Sequence, residues 1–288
     1  MNPRFSQLQP YPFERFREIL AGIEPEASLA HIDLSIGEPK HPTPPVIRQA
    51  IIENLDGLGS YPPTAGSEDL RKVLAKWLTW RFAPATIDPD TEVLPVLGSR
   101  EALFSLAQVV VDPTTTPVVV SPNPFYQIYE GAALLAGATM HYVAQTPGKP
   151  MTCGWSDVPA SVWSRTSLLF VCTPGNPTGS VVTLDEWRYL FELSDKYGFV
   201  IASDECYSEL YPPDIPAPIG ALQAGALLGR SKERFIVFGS LSKRSNAPGL
   251  RSGYAAGSKA LIAAFLKYRT YHGSAMSPTI QQASIAAW

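Results

Sequence analysis

The segment 234–257, RFIVFGSLSKRSNAPGLRSGYAAG, places a lysine and an arginine where they could act on one ligand. Lys243 follows the wholly apolar run 235–238, which predicts a buried strand. Arg251 lies farther on, in a glycine-rich turn. A lysine amine can bond covalently to an aldehyde, whereas a planar and permanently charged guanidinium suits a phosphate.

Ser240 would add a hydroxyl group to the same phosphate site. The three side chains together suit a ligand that is both an aldehyde and a phosphate ester, and pyridoxal phosphate (PLP) is such a cofactor. For Lys243 taken alone, an exposed basic loop after a strand is the simpler interpretation. The residues at the other strand ends decide between the two.

The bulk composition is that of a globular protein and argues against several kinds of partner. The 288 residues are 45% hydrophobic and 17% charged, with a formal net charge of −3. A slightly acidic chain without a basic block gives no reason to expect nucleic acid or an anionic membrane as a partner. The N-terminal residues lack the apolar region of a secretory signal, so we expect a cytoplasmic protein.

The cysteines fit a reducing compartment. Cys153, Cys172 and Cys206 are odd in number and widely spaced, without a Cys-x-x-Cys pair. We therefore expect small core residues rather than disulfides or metal ligands, and no metal site is predicted.

Apolar runs alternate with helical patterns along the chain. The predicted strands are 93–97, 117–120, 168–172, 199–202 and 235–238. The predicted helices are 44–55, 67–82, 99–111, 126–136 and 183–197, the last opened by a capping box of Thr183 and Glu186. This alternation predicts an open, mostly parallel α/β sheet.

In such a sheet, ligands bind beyond the carboxyl ends of the strands. Ser99 and Arg100 open a helix after the first predicted strand, where free backbone N–H groups attract phosphate. Tyr126 follows the second strand and offers a flat aromatic face to a ring. A buried core tyrosine is the alternative for that residue.

Polar residues also follow the third and fourth predicted strands. Asn176, in a proline-flanked loop, could donate to a phenolic oxygen, although asparagine is also an ordinary turn residue beside proline and glycine. Asp204 ends an apolar strand and needs a cationic partner, either a protonated pyridine nitrogen or a structural ion pair, unless it caps a helix. Tyr207 could reach the same phenolic oxygen as Asn176.

These motifs resemble the class I and II aminotransferases of PLP fold type I. The matching segments are GSREA at 98–102, NPFY at 123–126, NPTG at 176–179, DECY at 204–207, and SLSK at 240–243 with Arg251. The resemblance implies a mostly parallel seven-stranded sheet between helices. It also implies a large PLP-binding domain at 41–288, preceded by an arm and part of a smaller domain at 1–40.

The resemblance implies a role for each candidate residue. Lys243 would carry the cofactor and move a proton, Asp204 would keep the pyridine nitrogen protonated, and Tyr207 would bind the ring hydroxyl. Asn176 would share that hydroxyl and contact substrate, Tyr126 would stack on the ring, and the phosphate ligands would be Ser99, Arg100, Ser240 and Arg251.

Two further residues are implied at the edges of the site. Gly37 would lie near the substrate carboxylate through its backbone. Tyr61 would reach the phosphate in a neighbouring subunit, so the resemblance implies a homodimer with shared sites. The arginine that binds the α-carboxylate in this family is expected beyond Trp288, and we expect Ile280, Ile285 and Trp288 to be exposed.

The segments SLSKRSNAPGLRSGY and EPKHPTPP are most similar to the bacterial succinyldiaminopimelate aminotransferases of lysine biosynthesis. That similarity implies amino transfer between N-succinyl-LL-2,6-diaminopimelate and 2-oxoglutarate, with glutamate as the natural donor. Arg244, beside the lysine, could face a distal carboxylate or could be a solvated or interface arginine. The alternatives are an aspartate or aromatic aminotransferase, a PLP lyase on the same scaffold, and a truncated PLP-binding protein without turnover.

Overall fold

A computed structural model describes residues 1–149 and 151–288. Its described strands form one seven-stranded sheet in the order β1-β7-β6-β5-β4-β2-β3, in which β7 is antiparallel to both neighbours and the other pairs are parallel. The strands are β1 Val93–Val96, β2 Val118–Asn123, β3 Thr139–Ala144, β4 Thr166–Cys172, β5 Val200–Asp204, β6 Phe235–Ser240 and β7 Gly253–Gly257. The predicted α/β sheet is confirmed.

Helices connect the strands and cover both faces of the sheet. They are α1 Pro12–Leu20, α2 Pro45–Glu53, α3 Glu68–Arg81, α4 Ser99–Val110, α5 Ile128–Ala136, α6 Ala160–Trp163, α7 Leu184–Tyr197, α8 Ala221–Leu227, α9 Leu241–Arg244, α10 Lys259–His272 and α11 Pro278–Ala287. In the described residues, no helix is long and apolar enough to cross a lipid bilayer.

Side chains alternate between the two faces of each central strand, and both faces are buried. In β4, Leu168 and Phe170 pack into one hydrophobic layer, whereas Leu169 and Val171 pack into the opposite one. Successive side chains of a strand point to opposite faces, so a strand covered on both sides is apolar throughout. This is the pattern that the sequence predicted for the central strands.

Helix α3 begins and packs as its sequence predicts. The Ser67 hydroxyl accepts a hydrogen bond from the Leu70 N–H at 3.3 Å and so caps the helix. Leu74, Trp77 and Leu78 are buried along the face toward the sheet.

The predicted capping box of α7 is only half formed. Thr183 caps the helix by accepting from the Glu186 N–H at 3.2 Å. The Glu186 carboxylate, however, is fully buried and accepts from the Thr152 N–H and from the Trp155 ring N–H, the latter at 2.6 Å. These donors, brought in by the chain before α6, occupy the carboxylate that the sequence assigned to the cap.

The last helix packs against the domain more closely than the sequence suggested. Ile280, Ile285 and Trp288 are partly buried against the main core, so the expectation that they are exposed was wrong. The Trp288 ring lies 4.7 Å from that of Trp77 and 5.4 Å from that of Tyr254, measured between centroids. These aromatic contacts join α11 to α3 and β7.

The strand directions bring the candidate residues to one edge. Strands β2, β4, β5 and β6 are parallel, and β1 runs in the same direction as β6 because β7 is antiparallel to both. The carboxyl ends of these five strands therefore meet at the same edge of the sheet.

Candidate active site

A cavity of about 510 Å³ lies at this edge of the sheet. It is lined by every residue predicted for the site except Tyr61: Gly37, Ser99, Arg100, Tyr126, Asn176, Asp204, Tyr207, Ser240, Lys243 and Arg251. Tyr61 is fully exposed and lies outside the cavity. The N-terminal segment closes one side with Tyr11, Phe13 and Ile36, which the sequence did not identify.

Lys243 enters the cavity from α9, the short helix that follows β6 directly. The Ser240 hydroxyl caps this helix by accepting from the Ser242 N–H at 3.1 Å. The Lys243 amine donates to the carbonyl of Gly37, and it lies 5.9 Å from the centre of the Tyr207 ring. Partial burial lowers the pKa of Lys243, which raises the fraction of neutral, nucleophilic amine.

Asp204 is the buried anion of the cavity. Its side chain is 4% exposed, and its Oδ1 accepts from the Cys206 N–H at 3.3 Å. Burial raises the pKa of Asp204. Within residues 1–149 and 151–288 no basic side chain forms an ion pair with it. A buried carboxylate facing a cavity in this way suits a ligand that brings its own positive charge.

The neighbouring carboxylate, Glu205, points away from the cavity and gives a prediction about stability. Its Oε1 accepts from the Ser203 hydroxyl and the Ala221 N–H, both at 2.8 Å. Burial raises the pKa of Glu205 from 4.5 to about 7, so its protonated form is favoured in the folded protein. The contribution of protonated Glu205 to the free energy of unfolding is therefore complete below pH 4.5 and is lost as the pH rises through 7.

We expect Glu205→Gln to flatten the dependence of unfolding free energy on pH between 5 and 8. The difference from wild type should approach ~3 kcal/mol, the linkage value for a shift of this size. Urea unfolding at several pH values measures it, with the exposed Glu233→Gln as the control. Parallel curves for wild type and Glu205→Gln would contradict the assignment.

A second anchor of the cavity is the N-terminus of α4 with Arg251 beside it. Gly98 precedes the helix with φ +88°, and a Cβ at that position would collide with the Arg251 guanidinium. That guanidinium donates to the carbonyls of Pro248 at 3.0 Å and Leu97 at 3.3 Å. A helix N-terminus, the Ser99 hydroxyl and a fixed guanidinium form a site suited to phosphate.

Arg100 is held by two tyrosines. Its Nε donates to the Tyr126 hydroxyl at 2.7 Å, and its Nη2 donates to the Tyr11 hydroxyl at 3.1 Å. Tyr11 comes from the N-terminal segment, and the sequence gave no sign that this residue reaches the edge. The contact depends on the path of the chain, which local pattern does not encode.

The three cysteines are free, and Cys153 and Cys172 are buried as predicted. Cys206 instead lines the cavity, so its description as a core residue was incomplete. Its thiol donates to the Ser99 hydroxyl at 2.8 Å, and burial raises its pKa well above the ordinary range. The thiol is therefore a neutral hydrogen-bond donor and a poor nucleophile.

Arg244 does not face the cavity, so the suggested role in binding a distal carboxylate was wrong. Its guanidinium lies 5.1 Å from the centre of the Trp77 ring and 4.6 Å from that of Trp288. It donates to the Ala287 carbonyl at 2.7 Å. One helical position after Lys243, the side chain points to a different side of α9, because each residue of an α-helix turns the direction by about 100°.

A larger chamber of about 860 Å³ adjoins the cavity and shares Gly37, Asn176 and Tyr207 with it. Its other walls are mostly apolar and come from the loops 174–183 and 210–219, with Leu34 and Ser35 of the N-terminal segment. Among the described residues that line it, none is basic. The chamber suits the carbon chain of a ligand whose reacting end lies at Lys243.

The donor set of the cavity fits PLP. Lys243 supplies an amine, Asp204 a buried anion, and the α4 N-terminus with Arg251 an anion site. All of these groups line the same cavity. An aldehyde, a basic ring nitrogen and a phosphate match these groups in number and charge.

Comparison with known proteins agrees with a PLP site. Residues 30–288 match the family model for class I and II aminotransferases. A protein named LL-diaminopimelate aminotransferase from Desulforudis audaxviator is 32% identical over 291 residues, which covers 99% of this chain and 71% of the relative.

Solved structures agree with the family model. An aminotransferase from Neisseria meningitidis is 55% identical with a TM-score of 0.96, over 100% of this chain and 73% of its own. A probable N-succinyldiaminopimelate aminotransferase from Thermus thermophilus is 26% identical with a TM-score of 0.81, over 95% and 70%. Fold and site define a PLP-dependent transferase of amino groups. The chain belongs to the class I and II aminotransferase family.

Proposed function

We propose that this aminotransferase moves an amino group between N-succinyl-LL-2,6-diaminopimelate and 2-oxoglutarate, a step of lysine biosynthesis in which glutamate is the natural donor. The observation that supports this choice of substrate is the apolar chamber that adjoins the cavity of Lys243. It has room for a donor chain much longer than the side chain of aspartate. The name of the Thermus neighbour supports the same substrate.

We assign the chemistry to the residues of the cavity. When bound, PLP supplies an electron-withdrawing ring that stabilises negative charge at the substrate α-carbon. The Lys243 Nζ would hold the cofactor covalently. Once the substrate amine has taken its place, the freed Lys243 amine would take the proton from the α-carbon and return it to the cofactor carbon. The Asp204 carboxylate would hold a proton at the ring nitrogen.

The remaining cavity residues bind and orient. We assign Asn176 and Tyr207 to the ring hydroxyl, and Tyr126 to the ring face. Gly37 would lie near the substrate carboxylate, and Asn176 would also contact substrate. The phosphate ligands would be Ser99, Arg100, Ser240 and Arg251.

Two larger-scale features belong to the same proposal. We propose the division into an arm with part of a small domain, 1–40, and a large domain, 41–288. We also propose a homodimer in which Tyr61 contributes to the partner's phosphate site. The full exposure of Tyr61, beside the exposed apolar residues Leu55 and Leu58, supports an interface there. Sedimentation of wild type and of Tyr61→Ala tests the proposed dimer. The cofactor affinities of the same two proteins test whether Tyr61 contributes to the phosphate site.

A panel of amino donors, compared by kcat/KM, tests the substrate. Beyond the single methylene of aspartate, the pimelate chain of the succinylated donor carries two further methylenes that the chamber would bury. At about 0.8 kcal/mol each they favour it by roughly fifteen-fold. Aspartate or phenylalanine ahead by tenfold would refute this donor. Turnover without any 2-oxo acid would indicate the lyase instead.

A second donor, LL-2,6-diaminopimelate itself, is favoured by the name of the Desulforudis relative. It differs only in lacking the succinyl group, so the same panel separates the two. Ile215→Trp, which would fill the chamber, should lower kcat/KM for either long donor more than for alanine. The exposed Ile52→Trp, outside the chamber, is the matched control.

A further inference from the structure

Tyr129 lies behind the cavity and contacts Asp204 directly. It belongs to α5, is fully buried, and is not among the residues that line the cavity. Its hydroxyl donates to the Asp204 Oδ2 at 2.7 Å. This short bond to a carboxylate is of the strong, charge-assisted kind.

The packing around Tyr129 fixes where its hydroxyl points. Its ring stacks on Phe170 of β4, with centroids 4.4 Å apart and planes 9° apart. Its other neighbour, Tyr126, meets it edge to face at 5.7 Å. Because two rings clamp it, the hydroxyl can hold one oxygen of Asp204 while the Cys206 N–H holds the other at 3.3 Å.

We propose that Tyr129 is a positioning residue, which fixes the direction of the Asp204 carboxylate and favours its charged form. The inference rests on the proposed function, since it assigns Asp204 to the cofactor's ring nitrogen. Tyr129 acts through Asp204 and does not touch the ligand.

The charges around Asp204 show why such a residue is needed. Burial raises the pKa of Asp204, whereas the bonds from Tyr129 and Cys206 lower it. Burial also raises the pKa of Tyr129 well above its ordinary range, so this hydroxyl remains a donor at neutral pH. The titratable groups that face Asp204 are Tyr126, Tyr129, Cys172, Glu205, Cys206 and Tyr207.

Tyr129→Phe removes the hydroxyl and keeps the ring. We expect kcat to fall about 10- to 100-fold, in the range for losing one hydrogen bond to a charged group. The acid limb of the kcat/KM profile should move up by about one pH unit, because Asp204 then takes up its proton at higher pH. Tyr142→Phe, which removes an exposed hydroxyl bonded to Glu130, should leave both unchanged.

A double-mutant comparison separates action through Asp204 from a general packing role. PLP affinity is measured by titrating the apoprotein and following the visible absorption of the bound cofactor. Tyr129→Phe should weaken affinity about 3- to 10-fold in wild type and leave it unchanged in the Asp204→Asn background. The double variant buries no unpaired charge, so this arm applies even if the single variant fails to fold.

Unchanged pH profile and affinity in Tyr129→Phe would overturn the proposal, as would an equal loss of affinity in the Asp204→Asn background. Failure of the proposed function looks different, because wild type itself would then bind no PLP or show no transfer.

Discussion

Replacement of Lys243 by alanine should abolish amino transfer. Removing a catalytic nucleophile or base typically lowers kcat by about 10⁴- to 10⁶-fold, and Lys243 serves in both capacities here. PLP should still bind through the anchors at Asp204 and Arg251, but it should exchange freely on dialysis. Single-turnover absorbance measurements and dialysis against buffer without PLP test the two expectations.

Lys243→Arg tests whether turnover needs the reactive amine of Lys243 or only its positive charge. It keeps a cation in the cavity, but a guanidinium remains protonated, so it can neither accept a proton nor act as a nucleophile in place of the amine. We expect the same loss as for alanine. Lys259→Ala, at the exposed start of α10, should leave turnover unchanged. Appreciable activity in either Lys243 variant would remove this residue from the chemistry.

Asp204→Asn should retain PLP yet slow turnover by about 10²- to 10⁴-fold. The amide keeps a hydrogen-bonding group beside the ring nitrogen but cannot balance its positive charge. Each loss of about 1.4 kcal/mol of transition-state stabilisation costs a factor of ten. The measurement is kcat for both half-reactions, together with the cofactor's affinity.

Asp195→Asn is the control for Asp204→Asn. Asp195 accepts from Arg230 at 2.6 Å on the surface and is not among the residues that line the cavity. An exposed ion pair of this kind should contribute little to the stability of the fold. Near-normal turnover in Asp204→Asn would mean that the buried carboxylate is structural only.

The central strands could be predicted because burial on both faces leaves a continuous apolar run. Strands β3 and β7 could not. In β3, Thr139, His141 and Tyr142 interrupt the apolar pattern at an edge of the sheet, where only β2 pairs with it. In β7, the sequence Gly-Tyr-Ala-Ala-Gly has neither β-branched residues nor length, and only its antiparallel neighbours define it as a strand.

The residues at strand ends could be predicted because parallel strands bring their carboxyl ends together. What approaches from outside the sheet could not. Tyr11 reaches Arg100 from a segment far away in sequence, and Tyr129 reaches Asp204 from within a helix whose pattern marks it only as core. The direction of Arg244 was missed because one residue along a short helix changes the side that a side chain faces.

The account depends most directly on a covalent bond between PLP and Lys243. PLP is added to the protein, the visible absorption band is recorded, and borohydride then makes the bond permanent before digestion and peptide mapping by mass spectrometry. We predict a single reduced adduct, on the peptide containing Lys243. An adduct on any other lysine, or no absorption band with excess PLP, would contradict it.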